Sequence, residues 1–193
     1  MTETEIKIRW NGPASGAQAI IERHGYQLAA ARTLEVDQLF DCASGELQQS
    51  GLVLRLRRSG TLATVTYKGP ATRDIYKSRE EIEFDISDPD AFVAVLDRLG
   101  YRPGFRYEKY RTKFFDPREA GLLMLDETPV GVFLELEGSE DWIDLTANRL
   151  GFTSEAYLTA SYASLYRLHR ERNPEAPANM IFEPPSLSET QTK

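Results

Sequence analysis

Charged side chains recur at every second position in several segments of this 193-residue sequence. In the first such segment Glu3, Glu5 and Lys7 alternate with the apolar residues Ile6 and Ile8. Because successive side chains of a β-strand point to opposite faces, each segment would have one charged face and one apolar face. Paired carboxylates can bind divalent cations, and rows of lysine and arginine can bind phosphate groups. Together these are the groups that phosphoryl-transfer chemistry requires.

The charged faces together carry ten acidic and nine basic residues. The acidic residues are Glu3, Glu5, Glu35, Asp37, Glu81, Glu83, Asp85, Asp126, Glu135 and Glu137. The basic residues are Lys7, Arg9, Arg55, Arg57, Lys68, Arg79, Lys109, Arg111 and Lys113. Two like charges about 5 Å apart repel by roughly 3 kcal/mol at an effective dielectric constant of about 20. We therefore expect the two signs to alternate in space and a ligand to complete the pairing.

Eight segments with the period-2 alternation of β-strands position these residues. They cover residues 3–10, 33–41, 52–58, 62–68, 78–86, 105–115, 122–126 and 132–137. An antiparallel sheet of about eight strands tends to close, and closure would place the charged faces inside. The sequence therefore predicts an α+β fold, a closed eight-stranded antiparallel β-barrel or tunnel with helices packed outside. The alternative is an open sheet with a solvated charged face, where neighbouring strands pair by charge at ~0.2–1 kcal/mol per pair.

Caps and apolar spacing predict four helices, over residues 13–24, 88–99, 142–150 and 154–170. Tyr157, Tyr162 and Tyr166 would lie on the last of these helices and are expected to pack. Residues 173–193 contain several prolines and no apolar period, so we expect an extended or disordered tail. The predicted organisation is a tunnel domain over residues 1–170 and a proline-rich C-terminal tail over residues 171–193.

The composition argues against several classes of protein. With 23 basic and 30 acidic residues the net charge is −7, which disfavours nucleic acid and anionic membranes as partners. Cys42 is the only cysteine, and with His24 and His169 it offers neither a disulfide framework nor enough ligands for structural zinc. There is no basic-then-apolar leader and no apolar run of about 18 residues, so we expect a cytoplasmic protein.

The opening Glu3-Thr4-Glu5-Ile6-Lys7 resembles the ExExK signature of the CYTH superfamily, the triphosphate tunnel metalloenzymes. Further motifs follow in the order that this family shows, over about residues 3–166. They are Asp37 before Phe40-Asp41, Leu54-Arg55-Leu56-Arg57, Thr66-Tyr67-Lys68-Gly69, Arg79 with Glu81 and Glu83, Lys109-Tyr110-Arg111, Asp126, Phe133-Leu134-Glu135-Leu136-Glu137 and Ser161-Tyr162. The resemblance implies a closed tunnel that binds a small triphosphate and two divalent cations, Mg²⁺ or Mn²⁺.

Matched position by position, the resemblance also implies roles for individual residues. The implied metal ligands are Glu3, Glu5, Glu81, Glu83, Asp126, Glu135 and Glu137. The implied phosphate-binding residues are Lys7, Arg55, Arg57, Lys68, Arg79, Lys109 and Arg111. Among these we take Lys7, Lys68 and Lys109 as the candidate catalytic groups. Arg9 and Lys113 match no motif, and we expect them to be ion-pairing partners.

These expectations lead to a divalent-metal-dependent triphosphatase that hydrolyses inorganic triphosphate, thiamine triphosphate or a nucleoside triphosphate. The first alternative is a class IV adenylyl cyclase, in which the ribose 3′-OH attacks the α-phosphorus of ATP to form cyclic AMP. The second is a non-catalytic module that binds polyphosphate or nucleotide, although such a module would have little use for four metal-ligand glutamates. We expect no nucleic-acid or membrane partner, and a homodimer is one expected assembly.

Overall fold

A computed structural model describes residues 2–183 of the chain, apart from the side chain of Arg73. The described residues form ten strands in one antiparallel sheet. In chain order these are β1 (Thr2–Trp10), β2 (Gln27–Cys42), β3 (Val53–Ser59), β4 (Leu62–Lys68), β5 (Thr72–Arg73), β6 (Lys77–Asp85), β7 (Tyr101–Phe115), β8 (Gly121–Thr128), β9 (Gly131–Gly138) and β10 (Tyr157–Leu158). Eight of them follow the order β1-β9-β8-β7-β2-β3-β4-β6, and β6 pairs back with β1. The sheet is therefore a closed eight-stranded barrel, as the sequence predicts.

The faces of the barrel strands are also those predicted from the alternation. Asp37 on β2 faces Arg57 on β3, and Lys7 on β1 faces Glu135 on β9. Both β2 and β7 begin earlier than predicted, and their pairing contains three register shifts. Such irregularities bend and twist a strand pair, which is compatible with the curvature that closure needs. The two-residue strands β5 and β10 were not predicted and lie beside β6 and β1.

Five helices surround the barrel: α1 (Ala14–Arg23), α2 (Glu46–Gln49), α3 (Pro89–Arg98), α4 (Glu140–Arg149) and α5 (Tyr162–Arg172). Side-chain caps define three of the N-termini. Asp88 accepts a hydrogen bond from the Ala91 amide, Ser139 from Trp142 and Ser161 from Ser164. No helix among residues 2–183 is long and apolar enough to cross a membrane.

The prediction of one continuous helix over residues 154–170 is wrong. Ser154–Ala156 form a single 3₁₀ turn, and Tyr157 and Leu158 then extend to pair with β1. The helix starts again only after Ser161, whose hydroxyl caps the new N-terminus. Pairing with a strand edge and a serine cap therefore outweigh the helical spacing of the apolar residues in this segment.

The apolar faces of the strands point outward, and helices cover most of them, whereas Ile82 and Phe84 on β6 stay half-exposed. The largest core lies between the outer faces of β1, β8 and β9 and the helices α1 and α4. A second core lies under α3. A third packs α5 against Tyr107 and Phe133, which lie on the inner faces of β7 and β9. At the first core Trp142 of α4 packs directly on Gly121 and Gly138, where a Cβ atom would meet its ring. The charged faces are left pointing into the barrel.

Part of the segment predicted to be a free tail packs against the barrel. Met180 is fully buried, and its main chain bonds to Arg106 and Glu108 of β7. Residues 173–183 form neither a helix nor a strand, and one bridge joins Met180 to Tyr107. Residues 184–193 of the predicted tail lie outside the described residues. The division into two regions stays a prediction.

Candidate functional site

A cavity of about 1470 Å³ runs inside the barrel. Ten lysine and arginine residues contribute to its wall, Lys7, Arg55, Arg57, Lys68, Lys77, Arg79, Lys109, Arg111, Lys113 and Arg167. Seven acidic residues contribute as well, Glu3, Glu5, Asp41, Glu81, Glu83, Glu135 and Glu137. The lining is therefore positive although the whole chain carries a net charge of −7. A volume of this size accommodates a small polyanion.

One wall of the cavity is built around Lys7 on β1. Its Nζ atom lies 3.3 Å from Glu5 Oε2 and 3.0 Å from Glu135 Oε2. Burial would lower the pKa of Lys7, but Glu135 and Glu5 outweigh that effect and raise its pKa. Burial likewise works against ionised Glu5, yet the cations around it, with Lys7 foremost, lower its pKa to about 2. Lys7 and Glu5 are therefore a fixed pair of opposite charges.

Lys77 belongs to the same wall and was missed from the sequence. It is the first residue of β6, it is buried, and it contacts the Glu5 carboxylate. Burial lowers the pKa of Lys77 to about 8, against the opposing effect of Glu5. The sequence did contain a signal for Lys77. It lies two residues before Arg79, so period-2 alternation places it on the same strand face as Arg79 and Glu81. The predicted strand began one residue too late to include it.

Three carboxylates, those of Glu3, Glu81 and Glu137, lie on the neighbouring strands β1, β6 and β9 and line the cavity. Lys68 Nζ lies 2.5 Å from Glu81 Oε1 and 3.8 Å from Glu3 Oε2, and Arg79 Nε lies 3.0 Å from Glu81 Oε1. Burial and a side-chain contact with Glu81 raise the pKa of Glu3 to about 8. Burial and the charge of Glu135 also raise the pKa of Glu137. Glu3 therefore keeps its proton near neutral pH, which reduces the repulsion among the three carboxylates.

The opposite wall is formed by β2, β3 and β7. Asp37 lies between two guanidinium groups, with its Oδ1 2.9 Å from Arg57 Nε and 3.4 Å from Arg55 Nε. Glu35 lies 3.1 Å from Arg57 and 3.5 Å from Lys109. Asp37 and Glu35 are buried and do not reach the cavity surface. They sit behind the cations and hold them in place.

Asp126 is the centre of a second support behind the cations. Its oxygens accept hydrogen bonds from Arg111 at 2.6 Å, from Lys109 at 3.0 Å and from the Tyr162 hydroxyl at 2.5 Å. Asp126 is fully buried and does not line the cavity. The structure therefore brings Asp126 to the phosphate-binding candidates and not to the cavity surface where a metal would bind. Tyr162, expected to pack, also lines the cavity.

The remaining predicted residues lie in four different settings. Asp85 is exposed at the end of β6, accepts a hydrogen bond from the Thr64 hydroxyl and does not line the cavity. Glu83 is half-exposed and contacts Arg55 at 3.3 Å. Arg9 does not line the cavity: its guanidinium donates to the Val130 carbonyl and lies over the Phe133 ring. Lys113 lines the cavity but has no ion pair or hydrogen bond within the described part of the chain. The expectation that Arg9 and Lys113 would pair with acids is therefore wrong.

The carboxylates that line the cavity are chemically suited to bind a hard divalent cation. The cavity carboxylates Glu3, Glu5, Glu81, Glu135 and Glu137 are oxygen ligands, which favour Mg²⁺ or Mn²⁺ over zinc. Among residues 2–183 no three His, Cys, Asp or Glu side chains already converge closely enough to hold a metal ion. Four of these carboxylates, those of Glu3, Glu5, Glu81 and Glu135, contact lysine or arginine, so a cation would have to replace some of those contacts.

Comparisons with known proteins agree with this architecture. A protein of Methanocaldococcus jannaschii, named provisionally as an adenylate cyclase, is 28% identical over 139 residues, covering 72% of this chain and 78% of that protein. A Vibrio parahaemolyticus structure, also named provisionally as an adenylate cyclase, superposes with a TM-score of 0.76 at 18% identity and covers 86% of this chain and 98% of that one.

A Hippeastrum protein named provisionally as an adenylyl cyclase, and described as having a dominant triphosphatase activity, superposes with a TM-score of 0.66. It is 19% identical and covers 86% of this chain and 96% of that one. At this level of identity the two structures show a shared fold. The family model of the CYTH domain matches residues 1–148, which include all eight barrel strands and the helix α4 except its last residue, Arg149. With that match and the closed, charge-lined barrel, the chain belongs to the CYTH domain family.

Proposed function

We propose that this protein is a Mg²⁺- or Mn²⁺-dependent triphosphatase that cleaves the terminal phosphoanhydride of a small triphosphate. The observation that carries the proposal is the positive lining of a cavity in an acidic protein. A triphosphate is a linear anion, and a row of buried cations can bind its successive phosphate groups. The row that we assign to this task is Lys7, Arg55, Arg57, Lys68, Arg79, Lys109 and Arg111, and we add Lys77 because it lines the same cavity.

The supports behind this row strengthen the assignment. Asp37, Glu35 and Asp126 orient Arg55, Arg57, Lys109 and Arg111 by ion pairs, so the cations need little reorganisation when a substrate binds. Preorganised charge of this kind is usually the largest contribution to the stabilisation of a transition state. Arginine can in addition hold a phosphate through two parallel hydrogen bonds.

Glu3, Glu5, Glu81, Glu135 and Glu137 are the residues that would hold divalent cations. A bound cation would neutralise charge on the phosphate oxygens. We assign no such role to Asp126, since its oxygens are taken by Arg111, Lys109 and Tyr162. Glu83 has contacts to Arg55 and Thr66, and it remains only a candidate ligand.

The three candidate catalytic lysines differ in how easily they give up a proton. Burial and the nearby Arg55 lower the pKa of Lys68, and burial and Arg111 lower the pKa of Lys109. Lys7, in contrast, has a raised pKa between two carboxylates. A proton carrier works best when its pKa lies near the working pH. We therefore assign proton transfer to Lys68 or Lys109, and a fixed positive charge to Lys7.

The second candidate is an adenylyl cyclase, which the provisional names of two relatives favour. The Hippeastrum protein has a similar provisional name but a dominant triphosphatase activity, so such a name does not exclude hydrolysis. A cyclase would use the same phosphate-binding row but would expose the α-phosphorus to the ribose 3′-OH. A non-catalytic binding module stays a third alternative, and the six cavity glutamates argue against it.

One assay distinguishes these functions. Purified protein is given tripolyphosphate, thiamine triphosphate or ATP with Mg²⁺ or Mn²⁺, and both released phosphate and cyclic AMP are measured. We expect phosphate release that stops when the metal is chelated. Cyclic AMP as the main product from ATP would overturn the proposal in favour of the cyclase, and binding without turnover would favour the non-catalytic module.

A further inference from the structure

We propose that residues 177–182, here named the C-terminal strap, position the phosphate-binding side of the tunnel by holding Tyr162 in place. Within the strap, Met180 is the positioning residue. The inference rests on the proposed function, because it concerns the cations Lys109 and Arg111 that we assign to phosphate binding. The strap lies outside residues 1–148, the part of the chain matched by the family model.

The Met180 side chain fills the space between the barrel and α5. It is fully buried, in a cluster with Tyr107, Phe133, Tyr162 and Tyr166. Methionine is flexible and polarisable, so it packs well against several aromatic rings at once. Tyr107 and Phe133 belong to barrel strands, whereas Tyr162 and Tyr166 belong to α5. Met180 therefore connects the helix to the barrel.

The strap is anchored to β7 through main-chain hydrogen bonds. The Met180 amide donates to the Arg106 carbonyl at 3.0 Å, and the Glu108 amide donates to the Met180 carbonyl at 2.8 Å. The Arg106 amide also donates to Asn179 Oδ1 at 2.9 Å. The pairing of β8 with β7 begins only at Tyr110, so the strap bonds to an edge of β7 that β8 leaves open.

The strap is also bonded to α5. The Tyr166 hydroxyl donates to the Pro177 carbonyl at 2.8 Å. Tyr162 lies four residues earlier, so its ring is on the same side of the helix as that of Tyr166. Its hydroxyl passes into the barrel and donates to Asp126, the carboxylate that also holds Lys109 and Arg111. Met180 shares a buried cluster with Tyr162, and hydrogen bonds then join Tyr162 to Asp126 and Asp126 to two cations of the phosphate-binding row.

The consequence is that loss of the Met180 side chain would free Tyr162 to leave Asp126. Asp126 would then lose one of its donors, and Lys109 and Arg111 would be held less firmly. Residues in one hydrogen-bond network commonly show coupling energies well above the error of measurement. We expect Met180→Ser to weaken triphosphate binding by about fivefold to tenfold. Met180→Leu keeps an apolar side chain of similar size and should restore the affinity.

The experiment uses the full chain labelled with 3-fluorotyrosine, and the Tyr162 signal is assigned by its loss in Tyr162→Phe. ¹⁹F NMR without ligand reports the position of the Tyr162 ring, and calorimetric titration with imidotriphosphate reports affinity. We expect Met180→Ser, and not Met180→Leu, to move the Tyr162 resonance. In the Tyr162→Phe background, Met180→Ser should weaken affinity by less than about twofold. If Met180→Ser does not fold, Asn179→Ala, which removes one anchor to β7, replaces it.

Two results would overturn the inference. One is an unchanged Tyr162 resonance in the folded strap variant, and the other is an equal loss of affinity with and without Tyr162→Phe. A failure of the proposed function would look different. If the wild-type protein binds no imidotriphosphate but the Tyr162 resonance still moves in Met180→Ser, the assignment of the cations to phosphate binding is wrong. The strap would then still hold Tyr162 in place.

Discussion

Arg111 and Asp126 form a two-point ion pair inside the barrel, with Nε to Oδ1 and Nη2 to Oδ2 both at 2.6 Å. The two residues face each other on β7 and β8, and both side chains are buried. Lys109 and Tyr162 donate to the same Asp126 carboxylate. Asp126 therefore holds cations of the cavity wall in place. A substitution of Asp126 tests whether it supports these cations or binds a metal ion.

We expect Asp126→Asn to destabilise the fold by about 3–5 kcal/mol, because removal of one partner leaves buried positive charge without compensation. Its affinity for Mn²⁺ should change little. Glu137→Gln is the matched control, since it removes a carboxylate from the cavity surface and should weaken Mn²⁺ binding. Urea unfolding and calorimetric titration with Mn²⁺ measure the two effects. An Asp126→Asn variant of normal stability that has lost Mn²⁺ binding would make Asp126 the metal ligand that its motif suggests.

Arg57 and Arg58 are neighbours on β3 but lie on opposite faces of the barrel. Arg57 lines the cavity and pairs with Asp37, whereas Arg58 is exposed and pairs with Asp90 on α3. A charge-assisted hydrogen bond to a phosphate is worth roughly 1.5–3 kcal/mol. Arg57→Ala should therefore weaken binding of a triphosphate analogue by about tenfold to a hundredfold, and Arg58→Ala should have almost no effect.

Isothermal titration with imidotriphosphate and with monophosphate tests this expectation. Lys109→Ala should behave like Arg57→Ala, because it also lies on the cavity wall. Both variants should lose more affinity for the triphosphate than for the monophosphate, which cannot extend along the row. Normal triphosphate affinity in both would remove the cationic wall from the binding site.

Glu5→Gln and Glu135→Gln should each abolish turnover while the protein still folds. Each glutamate contacts Lys7 and lines the cavity, and glutamine keeps the size and one acceptor oxygen but loses the charge that a divalent cation needs. Phosphate release is measured at saturating Mg²⁺ or Mn²⁺, and circular dichroism confirms folding. Activity close to that of the wild type in both variants would exclude them as essential metal ligands.

Gly121→Ala should destabilise the protein by about 1–3 kcal/mol through overpacking. A Cβ atom at Gly121 would lie 2.3 Å from the ring of Trp142, which packs α4 onto the barrel. Gly104→Ala is the control, because its Cβ would lie no closer than 3.7 Å to the Leu39 carbonyl oxygen. Thermal unfolding of the two variants measures the difference. Equal unfolding midpoints for the two variants would mean that α4 can move away from β8 without loss of stability.

The direction of each strand side chain could be predicted from the sequence alone. Glu5 and Lys7 point inward and Ile6 and Ile8 outward because adjacent side chains of a strand lie on opposite faces, which is a local property. The closed barrel could be predicted for a related reason, since eight such strands with one apolar face need a cover outside and a place for the charges inside. These two local regularities account for most of the charged residues that line the cavity.

The contacts among those residues were decided only by the tertiary structure. Alternation gives Asp126 and Glu135 the same direction, yet the pairing of β8 with β7 encloses Asp126 behind Arg111, while Glu135 reaches the cavity. Lys77 depends on where β6 begins, and the break before α5 depends on the edge of β1. The position of Met180 depends on an open edge of β7, more than 70 residues away in the chain. These contacts depend on strand register and barrel closure, which bring together segments that are far apart in the sequence. Neither of them produces a local sequence pattern from which the contacts could be predicted.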